Sequence, residues 1–365
     1  MPIRRLRLQH VRNVEFADIQ FGERFNCFVG ENGAGKTTVL ESVYLVGRGR
    51  SFRSPTVDTL VQHDVDGLSV FIDLQTPASV DTILFNKRRR QPLAIQINGQ
   101  HTSRLSEAAS RLPLQLLTPD VSELVFGGPA ERRRYLDWGL FHVEHRYHSL
   151  ARDYSRALRQ RNTWLRDVLK IRIEAIDPWA VVLQELAFEM DSLRQKYCTE
   201  LFALIRSIMQ SLDVGVEPEF TYQKGWKSKE STSFAELLQE STSGDVKFGT
   251  TRIGPHRADI GVTVGAHDAV HMLSRGQAKL VAIAMNVAQV ELLRRKTGKQ
   301  SVVLFDELIA ELDYQRTGKV LEMLSRMESQ VIISSVELPD AIKGSIGNRA
   351  RLFHVKQGAI TALEE

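Results

Sequence analysis

The residues whose types and spacing best suit chemistry are Gly30-Glu31-Asn32-Gly33-Ala34-Gly35-Lys36-Thr37, which fit G-x-x-x-x-G-K-[ST]. In such a run the glycines let the backbone turn so that successive N–H groups face phosphate oxygens, and the following helix adds its dipole. Lys36 would reach the β- and γ-phosphates, and the Thr37 hydroxyl, with Thr38 beside it, would ligand Mg²⁺. The four fixed positions should arise by chance in about one chain in a hundred of this length. A second centre is Val302-Val303-Leu304-Phe305-Asp306-Glu307, an apolar run ending in two carboxylates. Asp306 suits the Mg²⁺ shell, and Glu307 suits a base that orients and deprotonates an attacking water. Taken alone, these residues better describe a strand running into a solvated acidic turn; the phosphate loop in the same chain reverses that. A third group, Leu273-Ser274-Arg275-Gly276-Gln277, opens a helix, where it suits either an anion or a plain N-cap at Ser274. Asp313 likewise suits an N-cap before Tyr314 alongside a functional role.

Elements must carry these groups to one place. Ile3–Leu8, Val14–Phe21 and Phe25–Val29 alternate as strands do, and a helical pattern follows over Thr38–Val46. Leu68–Leu74, Val80–Phe85 and Leu93–Ile97 continue as antiparallel sheet, with a tight turn at Asn98-Gly99. From Pro129 to about Leu212 the chain reads as two or three long helices broken at Asp177-Pro178. Lys227–Gly244 reads as surface loop with a short helical piece at Phe234–Leu238. Strand patterning resumes at Ile260–Val264. A helix over Gln277–Arg295, a buried strand at Val302–Phe305, a helix over Tyr314–Met327 and a core strand at Val331–Ser335 complete the chain. There is no internal repeat.

Composition excludes several classes. Hydrophobic residues are 42% and charged residues 25%, ordinary globular values, so bulk disorder is not expected. The two cysteines, Cys27 and Cys198, are far apart, which excludes a disulfide framework and a cysteine-built zinc site. No apolar run follows the basic Met1–Arg7 segment and none approaches a membrane span, so a cytoplasmic protein without membrane contact is expected. A net charge of +4 is too small to argue for nucleic acid by itself.

The phosphate loop, the Leu-Ser-x-Gly-Gln signature, and the strand ending Asp306-Glu307 with Leu312-Asp313 after it resemble the ABC-type ATPase heads of transporters and chromosome-maintenance proteins. In that family the signature of one protomer closes over ATP held by the other. The resemblance therefore implies ATP and Mg²⁺, an ATP-dependent homodimer, and Ser274, Arg275, Gly276 and Gln277 acting in trans. Arg275 replaces the usual glycine, and its charge would attract a γ-phosphate. Ser334-Ser335-Val336 stands where the family commonly has a histidine, which weakens the case for fast hydrolysis. Gln115 is the nearest candidate for the glutamine expected near the first helical junction, or else a strand residue. Transporter heads are too short for a helical insertion of this size, and long chromosome-maintenance proteins carry heptad coiled coil instead. What remains is similar to the RecF family of bacterial recombination mediators. Pro119-Asp120, the run Gly127–Trp138, Ile253–Arg257 and His10–Asn13 carry that likeness across the chain. It implies ATP-dependent DNA binding, slow DNA-stimulated hydrolysis, and recombinase loading at gaps with RecO- and RecR-type partners. It also makes a nucleotide- or DNA-proximal role plausible for His256 and Arg257, which equally read as turn residues, and places Arg12 near the nucleotide.

Basic clusters offer an independent test of DNA binding. Arg48, Arg50 and Arg53 follow the phosphate-loop helix, and Lys87–Arg90 lies between strands. Arg132, Arg133 and Arg134 open the helical block, and Arg152, Arg156, Arg159 and Arg166 fall on one helix face. Each run also reads as solvated surface; together they imply segregated charge and backbone recognition with little sequence preference. The expected fold is α/β, an ABC-type phosphate-loop ATPase head with mixed sheets. An inserted helical lobe (121–245) interrupts it, leaving ATPase parts at 1–120 and 246–365.

Overall fold

Fifteen strands form in three sheets within a computed structural model that describes residues 2–76, 79–168, 176–227, 232–307, 312–347 and 350–363. In chain order they begin with β1 (Ile3–Val11), β2 (Val14–Gln20), β3 (Phe25–Val29), β4 (Gly67–Gln75), β5 (Val80–Arg88), β6 (Ala94–Ile97), β7 (Gln100–Thr102) and β8 (Leu114–Leu117). They continue with β9 (Glu219–Gln223), β10 (Asp259–Val264), β11 (His267–Asp268), β12 (Val302–Asp306), β13 (Gln330–Ser335), β14 (Ala350–Lys356) and β15 (Ala359–Leu363). The chain divides into two compact units. One comprises 1–121, 210–213 and 283–365, and the other 122–209 and 214–282. The second unit thus runs to Ala282, beyond the boundary at 245 that the residue patterns suggest.

In the first unit, alternation builds an antiparallel sheet of order β2-β1-β4-β5-β6-β7. β1 buries Ile3, Leu6, Leu8 and Val11 and turns its arginines and Gln9 outward, as a half-buried strand must. The second sheet has order β15-β14-β3-β13-β12-β8 and is parallel except for the β14–β15 hairpin. Its central strands are buried on both faces: every residue of β12 and β13 is buried. The helix Lys36–Arg48 shares one apolar core with both sheets, where its Val39, Leu40 and Val43 meet Leu6, Leu8, Leu304, Ile332 and Phe353. Burying each such side chain stabilises by about 1.5–3 kcal/mol, so this core anchors the helix that carries the phosphate loop. The β14–β15 hairpin is not among the elements expected from sequence. Phe353 of β14 stacks on Phe28 of β3 with ring centroids 4.6 Å apart, and this fixes the hairpin beside the central strand.

The second unit holds the long helices Pro129–Val143, Tyr147–Val168 and most of Ala180–Leu212, with the small sheet β11-β10-β9. Asp177-Pro178 lies between two of these helices, as the residue types predict. One expectation fails. The serine-rich stretch expected as loop forms a helix over Phe234–Phe248, and 228–231 lie outside the described residues. Ser233 accepts the Glu236 N–H while the Glu236 carboxylate accepts the Ser233 N–H, a capping box that offsets the poor helix propensity of the serine-rich run. A buried ion cluster then pins this helix. Arg161, with no solvent exposure, donates to Asp177 Oδ2 at 2.6 Å, Asp245 Oδ2 at 2.8 Å and Thr251 Oγ1 at 2.7 Å.

Candidate nucleotide site

Strand register brings the two distant motifs together. β13 lies between β3 and β12, with Ser334 opposite both Asp306 and Phe28, and Ser335 opposite Val29. The carboxyl ends of three parallel strands therefore coincide, which is where ligands sit in open α/β sheets. The phosphate loop leaves β3 there. Gly30 must be glycine because a Cβ would come within 2.1 Å of the Val355 carbonyl oxygen. Gly35 caps the helix at φ 119°, a conformation that side chains resist.

Lys36 is 2% exposed, and its Nζ donates to the carbonyls of Gly30 (2.8 Å) and Glu31 (2.9 Å). Burial lowers its pKa, and the nearby charges of Glu307 and Asp306 partly oppose that. Thr37 Oγ1 donates to Asp306 Oδ1 at 3.0 Å, and Ser334 Oγ donates to the same oxygen at 2.7 Å. The Glu307 N–H points back to Ser334, with 3.1 Å to Oγ and 3.2 Å to the carbonyl. These bonds hold Glu307 at φ 56°, and its Oε1 stands 4.0 Å from Lys36 Nζ. A non-glycine residue in this left-handed region is strained, and such strain persists only where the surroundings over-determine it. Thr37 and Asp306 supply one hydroxyl and one carboxylate oxygen, a hard donor set suited to Mg²⁺, which takes few protein ligands and completes its shell with phosphate and water.

An open cavity of about 890 Å³ unites these groups. Asn32, Gly33, Gly35, Lys36, Thr37, Thr38, Asp306 and Glu307 line it, with Arg12, Asn13, Phe52, Arg53 and Asp120. Gly30, Glu31 and Ala34 complete the loop without lining the cavity.

The other residues singled out by sequence have varied roles. Arg12 lines the cavity, but its guanidinium is held by Glu41 (2.5 and 2.8 Å) and Ser54 (3.0 Å), so it braces the 51–54 loop. Arg53, expected among DNA contacts, lines the nucleotide cavity. The Arg48 guanidinium donates to the Leu114 carbonyl, and burial pushes its pKa down to about 10; it is committed to the fold and not free for DNA. Arg132 is likewise corrected. It makes a two-pronged pair with Asp259 (2.7 and 2.9 Å) and donates to the Gly127 carbonyl. Gln115 is a strand residue of β8, and its Nε2 donates to Gln289 Oε1 at 2.8 Å. Asp313 caps the helix Tyr314–Arg326 by accepting the Arg316 N–H.

In the second unit, Ser274 and Gln277 form a reciprocal cap at the helix Arg275–Thr297, and Ser274, Arg275 and Gly276 are exposed. A Cβ on Gly276 would meet nothing, so the local fold does not require glycine there. His256 lies between the Tyr154 hydroxyl (2.8 Å to Nδ1) and the Thr251 carbonyl (2.9 Å from Nε2). Nε2 therefore carries the proton, and burial takes the pKa down to about 4, a neutral structural histidine.

Three supports of the site escape sequence reasoning. Asn13 donates to the Gly33 carbonyl (3.0 Å) and accepts from Thr38 Oγ1 (3.1 Å). The Gly358 N–H, in the β14–β15 turn, donates to the Ala34 carbonyl at 2.8 Å. Ser334 reads in sequence only as part of the segment that lacks a histidine. Its bonds to Asp306 and Glu307 depend on the β12–β13 register, which no spacing announces.

Comparison with known proteins agrees with this geometry. The RecF/RecN/SMC N-terminal domain family matches residues 2–361. The protein named DNA replication and repair protein RecF from Shewanella piezotolerans is 34% identical over 364 residues, covering all of both chains. That of Shewanella amazonensis is 36% identical over 99% of each. Among solved structures, the recombination mediator protein RecF with ATP superposes at TM-score 0.86 and 24% identity, covering 99% of this chain and 97% of that one. An Smc head bound to the C-terminal winged-helix domain of ScpA gives 0.61 at 16% identity, covering 100% and 97%. An α/β head with mixed sheets, a phosphate loop and an acidic strand end in one cavity, and full-length likeness at a third of positions place this chain in the RecF family.

Proposed function

We propose that this protein is an ATP-dependent DNA-binding protein of recombinational repair and replication restart, working in the cytoplasm as a homodimer joined by ATP. The observation that carries the reading is the bonded chain Thr37–Asp306–Ser334–Glu307 beside the buried Lys36. Phosphate-loop N–H groups and Lys36 bind the triphosphate and stabilise charge on its β- and γ-groups. Thr37 and Asp306 hold Mg²⁺, which would neutralise phosphate charge when bound. Glu307 orients a water and accepts its proton. Ser274, Arg275 and Gly276 of a second protomer close the γ-phosphate side, as the exposed helix start allows. The closed dimer grips the phosphate backbone of gapped or junction DNA, and slow DNA-stimulated hydrolysis releases it. RecO- and RecR-type mediators use the clamped state to load the recombinase.

A second reading is an ATP-binding scaffold with little hydrolysis. What favours it is the Ser334–Val336 segment, which stands where the family commonly has a histidine and where Ser335 spends its hydroxyl on the Glu337 carbonyl.

The two readings separate on ATP turnover and self-association, with and without DNA, in the wild type and in Lys36→Met, Glu307→Gln and Ser274→Arg. Lys36→Met should lose ATP binding, Glu307→Gln should trap an ATP-bound dimer, and Ser274→Arg should bind ATP but stay monomeric. If Glu307→Gln turns over like the wild type, Glu307 is not the base. Dimerisation of Ser274→Arg with ATP would sink the trans arrangement.

A further inference from the structure

The long helices of the second unit enclose a groove of about 510 Å³ with an uneven charge balance. Arg133 and Arg134 of Pro129–Val143 and Arg194 of Ala180–Leu212 face it, against one carboxylate, Asp137. Asp137 is already spent: its Oδ1 accepts from Arg194 (2.8 Å) and from the Tyr147 hydroxyl (2.5 Å). His256 also lines the groove and is neutral. Arg134 pairs with Glu131 on its own exposed helix face. Arg133 donates to the Ala258 carbonyl (2.9 Å) and, among the described residues, meets no carboxylate within ion-pair distance. Asp259 is near, but both its oxygens are bound by Arg132. Burial lowers the Arg133 pKa, the Asp259 carboxylate opposes this, and the like charges of Arg194 and Arg257 add to the lowering.

The charge continues past the groove. Tyr154, Ser155 and Leu158 of Tyr147–Val168 line it, and the next stripe around that helix carries the exposed Arg152, Arg156 and Arg159. Asp153 is the acidic neighbour of the first two, at 3.7 and 3.9 Å, and Arg159 has no ion pair among the described residues. From Arg152 to Arg159 the stripe runs about 10 Å along the helix. A compact anion would use one of these guanidiniums; a polymer with regularly spaced charges can use the groove and the stripe together. No exposed aromatic ring offers a base a stacking surface among these residues.

We propose that the Arg133 groove and the Arg152–Arg159 stripe form a track for the phosphate backbone of a DNA strand, read without regard to base. The proposal rests on the DNA-binding reading above and deepens it by naming the surface. Of the contacts expected from sequence it drops Arg48 and Arg132, which the fold consumes, and keeps Arg133, Arg152, Arg156 and Arg159.

The test is fluorescence anisotropy of a labelled gapped duplex with the full-length protein, with ATP and Mg²⁺, from about 50 to 200 mM salt. Arg133→Ala removes the groove cation but also a bond to Ala258. Exposed Arg159→Glu and Ser155→Asp therefore accompany it, and urea unfolding checks that each folds. Arg326→Glu, a charge change equal to that of Arg159→Glu and larger than that of the other two, on an exposed helix of the other unit, controls for net charge. Each track variant should bind at least about tenfold more weakly and flatten the log–log salt slope by about 1, with Arg326→Glu near the wild type. If the wild type binds the duplex and the folded track variants bind no worse than Arg326→Glu, the track is wrong and the DNA-binding reading stands. If the wild type does not bind it at all, that reading fails and takes the track with it.

Discussion

At Ser334 one hydroxyl organises two residues of opposite duty. It donates to Asp306, the proposed metal ligand, and accepts from the backbone of Glu307, the proposed base. Each bond is worth about 1 kcal/mol, and their loss frees a strained Glu307 to relax. Ser334→Ala should lower turnover about tenfold at saturating ATP and raise the Mg²⁺ needed for half-maximal rate, while Ser334→Thr, which keeps the hydroxyl, should restore most of both. Equal rates for the alanine variant and the wild type across a Mg²⁺ titration would rule out this positioning role. His256 makes a prediction of the opposite kind, about stability. Its pKa is depressed to about 4 in the fold, so the unfolded chain binds the extra proton between that value and the ordinary one near 6.5. Its contribution is complete above about pH 6.5 and is lost as pH falls toward 4, a cost on the order of 2–3 kcal/mol. Urea unfolding across that window should show a shallower slope in His256→Gln than in the wild type.

Among the elements, the helix Phe234–Phe248 exists because one local and one long-range device agree. The capping box starts it, and Asp245 joins it to Arg161. Arg161→Ala would leave Asp177 and Asp245 buried without their cation and should destabilise by about 3–5 kcal/mol. Ser233→Ala should cost only about 1 kcal/mol, the ordinary value of a lost cap. Comparable losses for both in urea titrations would mean that the buried cluster matters less than its geometry suggests. In the first unit, the phosphate loop is held from three sides: by Asn13, by the Gly358 turn, and by the core that anchors the helix Lys36–Arg48. A loop so braced is pre-organised for phosphate, which limits the ordering cost on binding.

For the whole molecule, the proposed two-fold arrangement makes a complementation experiment decisive. Lys36→Met keeps a sound signature and Ser274→Arg keeps a sound phosphate loop. Neither alone should hydrolyse ATP, but an equal mixture forms mixed dimers with one intact site. Turnover should recover to at most about half the wild-type value, since neither variant dimerises with itself and one of the two sites of each mixed dimer works. No recovery on mixing, with both variants folded, would refute composite sites.

Contiguous features are legible in the residue order alone. The phosphate loop, the acidic strand end and the alternation of β1, β12 and β13 are short-range patterns, and backbone periodicity expresses them directly. Residue type also marks arginine as the cation to watch. It does not reveal that Arg161 is sealed in an ion cluster, that Arg48 serves a carbonyl, or that Arg159 stays exposed at the surface. The serine-rich composition of the Phe234 helix points to a loop because propensity is local and its burial is not. Asn13, Ser334 and Gly358 stay hidden because their partners are set by strand register and by a hairpin closing from the far end of the chain. Residue types and their order limit which chemistry the chain can do. Folding selects which side chains remain available for it, because burial and hydrogen-bond partnership depend on segments that meet only in the folded chain.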